Sequence, residues 1–170
     1  EKHGRTGDML FVTVRSEYLQ DGSPTIVEEQ NLVYRSDSGS SRPFAHTAAG
    51  LASSTAPWST TPTTSAPLLF RYSALTANSH RIHYDQPYVT GVEGYPDLVV
   101  HGPLLATYMA DLARLTSGRP LRTFDFRLKR PVFLGDEFRV EGIPADDGTV
   151  ALQVVSGTDT VHASGTGQLA

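Results

Sequence analysis

Hydrophobic and polar residues alternate along two stretches near the start of the chain. Residues 9–19 (MLFVTVRSEYL) and 25–35 (TIVEEQNLVYR) are rich in β-branched and aromatic residues, and the turn sequence DGSP lies between them. The pattern predicts a β-hairpin within residues 1–35. Because two strands alone are not stable in water, the hairpin has to pack against other elements.

This alternation disappears between residues 36 and 66, where serine, threonine and proline dominate and few apolar side chains are available for burial. Such a composition predicts a linker or an extended covering segment. Trp58 is the one large apolar anchor of this segment, and we expect it to pack on a neighbouring surface rather than to bind a ligand.

One helix and a series of strands are predicted in residues 67–170. The sequence HGPLLATYMADLARLTSG at 101–118 has a glycine and a proline at its start, a glycine at its end, and apolar residues three or four positions apart. These are the signals of a helix with one apolar face. Strand-like sequences with turn residues between them surround it, and the predicted strands are 67–74, 121–133, 137–144, 148–156 and 159–169.

This order of elements predicts an α+β domain at 67–170. A single apolar helix needs a sheet to lie against, and the simplest arrangement is a curved antiparallel sheet wrapped around it, which is the hotdog fold. The hairpin at 1–35 is then the closing part of an incomplete N-terminal hotdog or an extension of the sheet. Because strand sequence begins almost at once, we expect the chain to start inside a larger protein or to follow a disordered or cleaved segment.

Composition narrows the possible partners and compartments. The chain has 170 residues, a net charge of -4 and no cysteine. An acidic chain gives no reason to expect nucleic acid, and no apolar run approaches the length of a membrane span. The lack of cysteine excludes disulfides and a thiolate nucleophile, and it fits a cytoplasmic protein.

Candidate chemistry is concentrated in residues 78–85, which read NSHRIHYD. Histidine is the side chain best suited to take and return a proton near neutral pH. Asp85 lies two residues after His83, where a carboxylate could fix the tautomer of the ring. Gly102 begins the predicted helix, so its N–H group has no partner inside the helix and lies at the positive end of the helix dipole. Such a group could bind the polarised oxygen of a carbonyl.

Each of these residues also has an ordinary structural explanation. Taken singly, His80 and His83 are typical of loops, Arg81 of a solvated charge or an ion pair, and Asp85 of the start of a turn. A metal site built from His80, His83 and Asp85 is a minor alternative, because three convergent ligands are needed. Three other histidines have no supporting context, namely His3, His46 and His162.

The combination of this loop and this helix start resembles a known family. NSHRIHYD and the later HGPL are similar to the motifs of the MaoC-like or R-specific enoyl-CoA hydratases, a branch of the hotdog superfamily. FRYSALTANSHRIHYDQPY and EGYPDLVVHGPL are closer still to a subgroup that contains mesaconyl-C(4)-CoA hydratases and mitochondrial-type 3-hydroxyacyl-thioester dehydratases. The resemblance is strong over residues 69–115 and weaker over 126–138.

The resemblance implies a hydro-lyase that adds water reversibly to the double bond of an α,β-unsaturated acyl thioester. His83 matches the family's catalytic histidine, Asp85 the aspartate that follows it, and Gly102 the glycine whose amide holds the thioester oxygen. Asn78 stands where the wider family has a catalytic aspartate. Because asparagine cannot act as a base, a second base at that position is excluded, and we expect Asn78 to orient the water.

The resemblance also implies how the substrate is carried and bound. The acyl group is attached to CoA or to a carrier protein, and no further cofactor is expected. The arginines suit the phosphates of such a carrier. The candidate substrate-binding residues are His80, Arg81, Tyr84, His101 and Arg130. Hotdog relatives associate in pairs, so a homodimer or a higher oligomer is expected.

Two other functions remain open. A thioesterase on the same fold needs a carboxylate at the helix to activate water against the carbonyl carbon, and the only one available within this helix is Asp111, well past its start. Alternatively, the chain is a catalytically silent subunit that binds acyl thioesters or a partner chain, and Asn78 is a relic of lost activity.

Overall fold

The computed structural model describes residues 2–4, 7–35, 44–47, 50–158 and 160–170. The chain divides into two compact units, Glu1–Arg42 and Pro43–Ala170. Within the described ranges, none of the helices combines the length and the apolar character that crossing a membrane requires.

The first unit is an antiparallel sheet with the strand order β1-β2-β3. Its strands are β1 (Lys2–Gly4), β2 (Gly7–Gln20) and β3 (Ser23–Arg35). The turn between β2 and β3 places Asp21 and Gly22 at φ 51 and 78, and two successive positive φ values are typical of tight hairpin turns. The predicted hairpin is confirmed.

The second unit contains an antiparallel sheet with the strand order β4-β6-β7-β8-β5. Its strands are β4 (Trp58–Thr60), β5 (Leu121–Leu128), β6 (Arg139–Pro144), β7 (Thr149–Ser156) and β8 (Thr160–Leu169). Between β4 and β5 lie the helices α1 (Ala66–Leu75), α2 (Gln86–Gly91) and α3 (Gly102–Ser117), together with a 3₁₀ turn at Arg81–His83.

Helix α3 forms the core of the second unit together with the sheet. Its apolar face is buried, and Gly118 ends it at φ 69, a left-handed conformation that glycine adopts without strain. The core consists of side chains from α3 and from the strands, including Leu104, Leu105, Met109, Leu112, Val140, Val150, Leu152, Val154 and Ala163. The predicted α+β arrangement of one apolar helix on an antiparallel sheet is therefore confirmed.

The prediction of a strand at 67–74 is wrong, because this stretch forms most of α1. The side chain of Ser65 accepts a hydrogen bond from the Leu68 N–H at 3.3 Å and caps the helix, and a proline is tolerated in the first turn. Leu69 and Ser73, four residues apart, are the buried residues of α1. Burial at this spacing follows the period of a helix and not that of a strand.

The second unit begins at Pro43, inside the segment predicted as a linker. Residues 58–60 of that segment form β4, which pairs with β6 so that Trp58 lies opposite Gly142. The indole packs there: a Cβ added to Gly142 would lie 3.2 Å from Trp58 Cε3. Trp58 thus packs on a neighbouring surface, as expected. Residues 36–43 and 48–49 lie outside the described residues.

The predicted strand 121–133 ends at Leu128, because the next residues turn away from the sheet. Pro131 has no N–H to offer a sheet partner. The following residues run beside the segment that leads into α3: Phe133 forms a bridge with Val99, and the Val100 N–H donates to the carbonyl of Val132 at 2.8 Å. These bonds fix the chain just before the helix start.

Asp136 holds the next turn together, and replacing it with alanine is expected to lower the free energy of unfolding by about 1–3 kcal/mol. Its side chain is 1% exposed and accepts hydrogen bonds from His46 Nδ1 at 2.9 Å and the N–H groups of Thr47 at 3.2 Å and Phe133 at 2.9 Å. The alanine variant leaves the buried Phe133 N–H without an acceptor. Urea denaturation measures the loss, Asp136→Asn is the milder control, and equal stability of the alanine variant and the wild type would contradict the prediction.

Candidate active site

His83 is a buried base whose ring orientation is set by the backbone. The 3₁₀ turn carries the side chain inward, and the residue is 7% exposed. Its Nδ1 lies 2.7 Å from the carbonyl oxygen of Val99. A carbonyl can only accept, so Nδ1 carries the proton and donates it, and Nε2 keeps its lone pair. The segments that carry His83 and Val99 are also joined by a hydrogen bond from the Val99 N–H to the Ile82 carbonyl at 2.9 Å.

The surroundings of His83 favour its neutral form. Burial is the largest cause that lowers the pKa of His83 below its ordinary 6.5, the hydrogen bond to Val99 opposes this, and the nearby His80 lowers the pKa further. The rings of His80 and His83 meet edge to face at 5.7 Å. A histidine with a lowered pKa is unprotonated at neutral pH, as a general base must be.

His101 lies directly against the ring of His83. The two imidazoles are stacked, with centroids 3.8 Å apart and planes 16° apart. His101 is fully buried, and its Nε2 lies 2.8 Å from Ser73 Oγ on α1. The ring of Tyr72, also on α1, lies 4.8 Å from that of His101. Burial and then repulsion from His83 lower the pKa of His101 to about 4.

Gly102 follows His101 and is the first residue of α3. Its N–H precedes the first hydrogen-bonded turn and lies at the positive end of the helix dipole. A Cβ at this position would overlap Leu128 Cδ1, so the exposed side chain of Leu128 would have to move to admit any other residue. Because the His83 ring is stacked on the residue before Gly102, the imidazole lies close to the N-terminus of α3.

Asn78 lies three residues after the end of α1 and organises the loop that leads to His83. Its N–H donates to the Ser73 carbonyl at 2.9 Å, and its side-chain oxygen accepts from the His80 N–H at 3.0 Å. An amide oxygen has two lone pairs, so one remains available for a water molecule. Tyr84 also contributes to the loop, since its hydroxyl donates to the Ser79 carbonyl at 2.8 Å.

Asp85 contacts Arg81 and the start of α2, and not the ring of His83. Its Oδ2 accepts from Arg81 Nε at 3.0 Å and Nη2 at 2.8 Å, while Oδ1 accepts from the Tyr88 N–H at 3.1 Å. The hydrogen bond from Arg81 is the largest cause that lowers the pKa of Asp85. The Arg81 guanidinium also lies over the Tyr88 ring at 4.0 Å. The expectation that Asp85 fixes the tautomer of His83 is therefore wrong, and the residue instead starts the next turn by holding the Tyr88 amide at the beginning of α2.

Arg130 lines a cavity of about 440 Å³, and the lining of this cavity includes none of the residues of the His83 cluster. The walls of that cavity include Phe44, His46, Pro131, Phe133 and His162. Two histidines without sequence context thus have structural partners there: His46 binds Asp136, and His162 Nε2 lies 2.6 Å from Ser156 Oγ. No group of three metal-binding side chains is found in the part of the chain that the structure describes.

Sequence reasoning missed two groups of the cluster, Ser73 and the Val99 carbonyl. Ser73 was assigned to a strand, where its direction relative to the histidines could not be judged. The helical spacing of Leu69 and Ser73 was the signal that could have placed it on the inner face. The Val99 carbonyl carries no sequence signal, because every residue has one.

A family model described as hydroxyacyl-thioester dehydratase type 2 matches residues 1–134. The mesaconyl-C(4)-CoA hydratase of Chloroflexus aurantiacus is 44% identical over 147 residues, which are 86% of this chain and 52% of that protein. The mitochondrial hydroxyacyl-thioester dehydratase type 2 of Schizosaccharomyces pombe is 41% identical over 86 residues, which are 49% of this chain and 28% of that protein. The chain therefore spans about half the length, or less, of these curated relatives.

A solved structure of a MaoC-like dehydratase from Phytophthora capsici aligns with a TM-score of 0.69 and 17% identity, over 94% of this chain and 56% of that one. At this identity the likeness shows the fold, and the predicted hotdog fold is confirmed. The resemblance to the MaoC-like branch is confirmed as well, since the family match covers most of the chain. The chain belongs to the hydroxyacyl-thioester dehydratase type 2 family.

Proposed function

We propose that the chain catalyses the reversible hydration of an α,β-unsaturated acyl thioester, and thus the dehydration of a 3-hydroxyacyl thioester, as a hydro-lyase. The observation that carries the proposal is the pairing of a buried neutral imidazole with a helix N-terminus: His83 is stacked on the residue that immediately precedes Gly102. The names of the curated relatives, a hydratase and a dehydratase of acyl thioesters, support the same reaction.

The reaction begins with polarisation of the substrate. The thioester oxygen accepts a hydrogen bond from the Gly102 N–H, and the positive end of the α3 dipole stabilises the negative charge that develops on that oxygen. Electron density is then drawn away from the β-carbon, which becomes open to attack by water. Removal of one such donor typically lowers the rate by about 10²–10³-fold, so this term is a large part of the rate enhancement.

The proton transfers are assigned to His83. Nε2 takes a proton from water while the water oxygen bonds to the β-carbon, and the π electrons move to the α-carbon and the thioester oxygen. The imidazolium then returns the proton to the α-carbon, which restores the neutral ring. The free lone pair on the side-chain oxygen of Asn78 accepts a hydrogen bond from the attacking water. Asp85 keeps the loop in place through the Tyr88 N–H.

CoA or a carrier protein is proposed as the carrier of the acyl group, with no additional cofactor. Arg81 and His80, which are exposed on the same loop as His83, are the proposed contacts for the carrier near the reacting atoms. Tyr84 is proposed to border the acyl group, and Arg130 is proposed to bind a more distant part of the carrier. His101, predicted to contact the substrate, is fully buried against His83 and has no surface to offer it. A homodimer or a higher oligomer is the proposed assembly.

The thioesterase alternative has less support, because its carboxylate is in the wrong place. Asp111 lies nine positions after Gly102 in α3 and forms an ion pair with Arg114 at 3.1 Å. A carboxylate that activates water against a thioester carbon has to lie near the oxygen that the helix start binds.

One assay separates the possible functions. The purified chain is incubated with crotonyl-CoA and with mesaconyl-CoA, while the absorbance of the enoyl thioester and the free thiol are followed together. Loss of the enoyl absorbance without release of thiol supports the proposal. Release of thiol indicates a thioesterase, and no change in either signal indicates a silent subunit; both results contradict the proposal.

The pH dependence follows from the lowered pKa of His83. The base has to be neutral, so kcat/KM for hydration is expected to rise with pH through the pKa of His83, with a midpoint below the value for an ordinary histidine, 6.5. A midpoint above 6.5 in a profile measured between pH 4 and 8 would contradict the assignment of His83 as the free-enzyme base.

A further inference from the structure

His101 occupies a position where its side chain has no ordinary use. It is the residue before the first turn of α3, a place where serine, threonine, aspartate or asparagine normally caps the helix with a side-chain hydrogen bond. His101 makes no such bond. Its ring is instead fully buried, stacked on the ring of His83 at 3.8 Å and tilted against that of Tyr72 at 4.8 Å between centroids.

The hydrogen bonds of His101 define its tautomer. Nε2 faces Ser73 Oγ at 2.8 Å, whereas Nδ1 is buried and has no hydrogen-bond partner among the described residues. A buried N–H without an acceptor is less favourable than a buried lone pair without a donor. The proton is therefore on Nε2, which donates to Ser73, and Nδ1 is unprotonated.

This arrangement makes His101 a poor proton carrier. Protonation would place an N–H at Nδ1, where no described residue accepts it, and would set two positive rings against each other whenever His83 also carries its second proton. Its pKa of about 4 agrees with this geometry. His101 thus stays neutral while His83 cycles between its two forms, and the stacked surface it offers to His83 does not change during turnover.

We propose that His101 is a positioning residue, whose ring is tethered to α1 through Ser73 and holds the His83 imidazole in the plane that aims Nε2 at the substrate. The Val99 carbonyl fixes one end of the His83 ring but leaves rotation about that hydrogen bond open. The stacked face of His101 removes this freedom. A three-part support results, formed by Val99, His101 and Ser73.

The titratable and charged groups near this support are His80, Tyr72, Arg81 and Asp85. The rings of His80 and His83 are nearly perpendicular with centroids 5.7 Å apart, and the Tyr72 ring lies 4.8 Å from that of His101. Arg81 and Asp85, on the same loop, bind each other. Among these, His80 is the group whose charge acts directly on His83.

The inference rests on the proposed function for its catalytic consequence, but the effect of His101 on the His83 ring can be tested without turnover. The titration of His83 is followed by the NMR signal of its ring Cε1–H, assigned with a His83→Gln variant. In the His101→Ala variant, solvent reaches the open face of the ring, so the midpoint is expected to move up towards 6.5 and the acid limb of kcat/KM to move with it. A misplaced base also lowers kcat, by about 10²-fold, with a smaller effect on KM.

Two further variants separate positioning from simple packing. His101→Phe keeps a flat ring against His83 and keeps water away, so the His83 midpoint is expected to stay low and kcat to exceed that of His101→Ala. Ser73→Ala removes only the tether and is expected to lower kcat less than His101→Ala does. Leu115→Ala, an exposed position on α3, is the control and keeps both values at those of the wild type.

If the His83 midpoint in the folded His101→Ala variant equals that of the wild type, the proposal is overturned, whatever happens to kcat. An equal loss of kcat in His101→Phe and His101→Ala overturns it too, because the stacked ring would then be irrelevant. If His101→Ala does not fold, His101→Phe and Ser73→Ala decide: a kcat equal to the wild type in Ser73→Ala contradicts the tether. Failure of the wild type to hydrate enoyl thioesters would contradict only the proposed function, and the titration test of His101 would remain valid.

Discussion

Replacing His83 with glutamine is expected to lower kcat by about 10²–10⁴-fold, the usual contribution of a positioned general base. Glutamine is neutral and of similar length, and its side-chain amide can still donate to the Val99 carbonyl that His83 binds. The variant should therefore fold, but it has no basic nitrogen to take a proton from water. The measurement is the rate of loss of enoyl absorbance, with circular dichroism and thermal unfolding as checks of the fold.

The matched control for this variant is His46→Gln. His46 is another histidine of the second unit, but it binds Asp136 beside the separate cavity and does not contact the His83 cluster. Its kcat should equal that of the wild type. Equal rates in His83→Gln and the wild type would show that another group carries the proton, and the mechanism would have to be abandoned.

Removing the N–H of Gly102 is expected to lower kcat by about 10²–10³-fold, because the thioester oxygen loses its donor. Proline is the residue that removes this group and still suits the first position of a helix. The preceding residue permits it, since His101 is extended at φ -58 and ψ 130. A Cβ at position 102 would overlap Leu128, so the change is made together with Leu128→Ala.

The comparison variant is Gly102→Ala in the same Leu128→Ala background. Both double variants carry a Cβ at position 102 and the same space at position 128, and they differ mainly in the backbone N–H. The proline variant should therefore show the loss in kcat, while the alanine variant keeps most of the activity of Leu128→Ala. Equal values of kcat in the two double variants would mean that the Gly102 N–H does not stabilise the reacting oxygen.

The sequence predicted the elements whose signals are local. The hairpin follows from alternation and an Asp-Gly turn, and α3 follows from a glycine–proline start, a glycine end and one apolar face. The helix α1 was missed because the short apolar run 67–74 fits either period, and the choice was made by tertiary packing. Burial of Leu69 and Ser73 against the rest of the unit selects the helix.

The candidate site was predictable as a set of residues but not as an arrangement. His83 and Gly102 were identified from their types and spacing, and the structure brings their neighbourhoods together through His101. The sequence could not predict the hydrogen-bond partner of Asp85, because a carboxylate two residues from a histidine can turn either towards that histidine or towards a helix start. The tautomer of His83 depends on a backbone oxygen sixteen residues away, which no side-chain pattern reveals.

The fixed orientation of the His83 ring has a consequence for the side of the double bond to which water is added. A planar enoyl group that enters the site presents one of its two faces to Nε2, and Asn78 cannot supply a second acid or base from the opposite side. The same nitrogen then handles the proton of the attacking water and the proton delivered to the neighbouring carbon. In the proposed mechanism, hydrogen and hydroxyl are therefore added to the same side of the double bond, and the new stereocentre depends on which prochiral face of the enoyl group lies towards the imidazole.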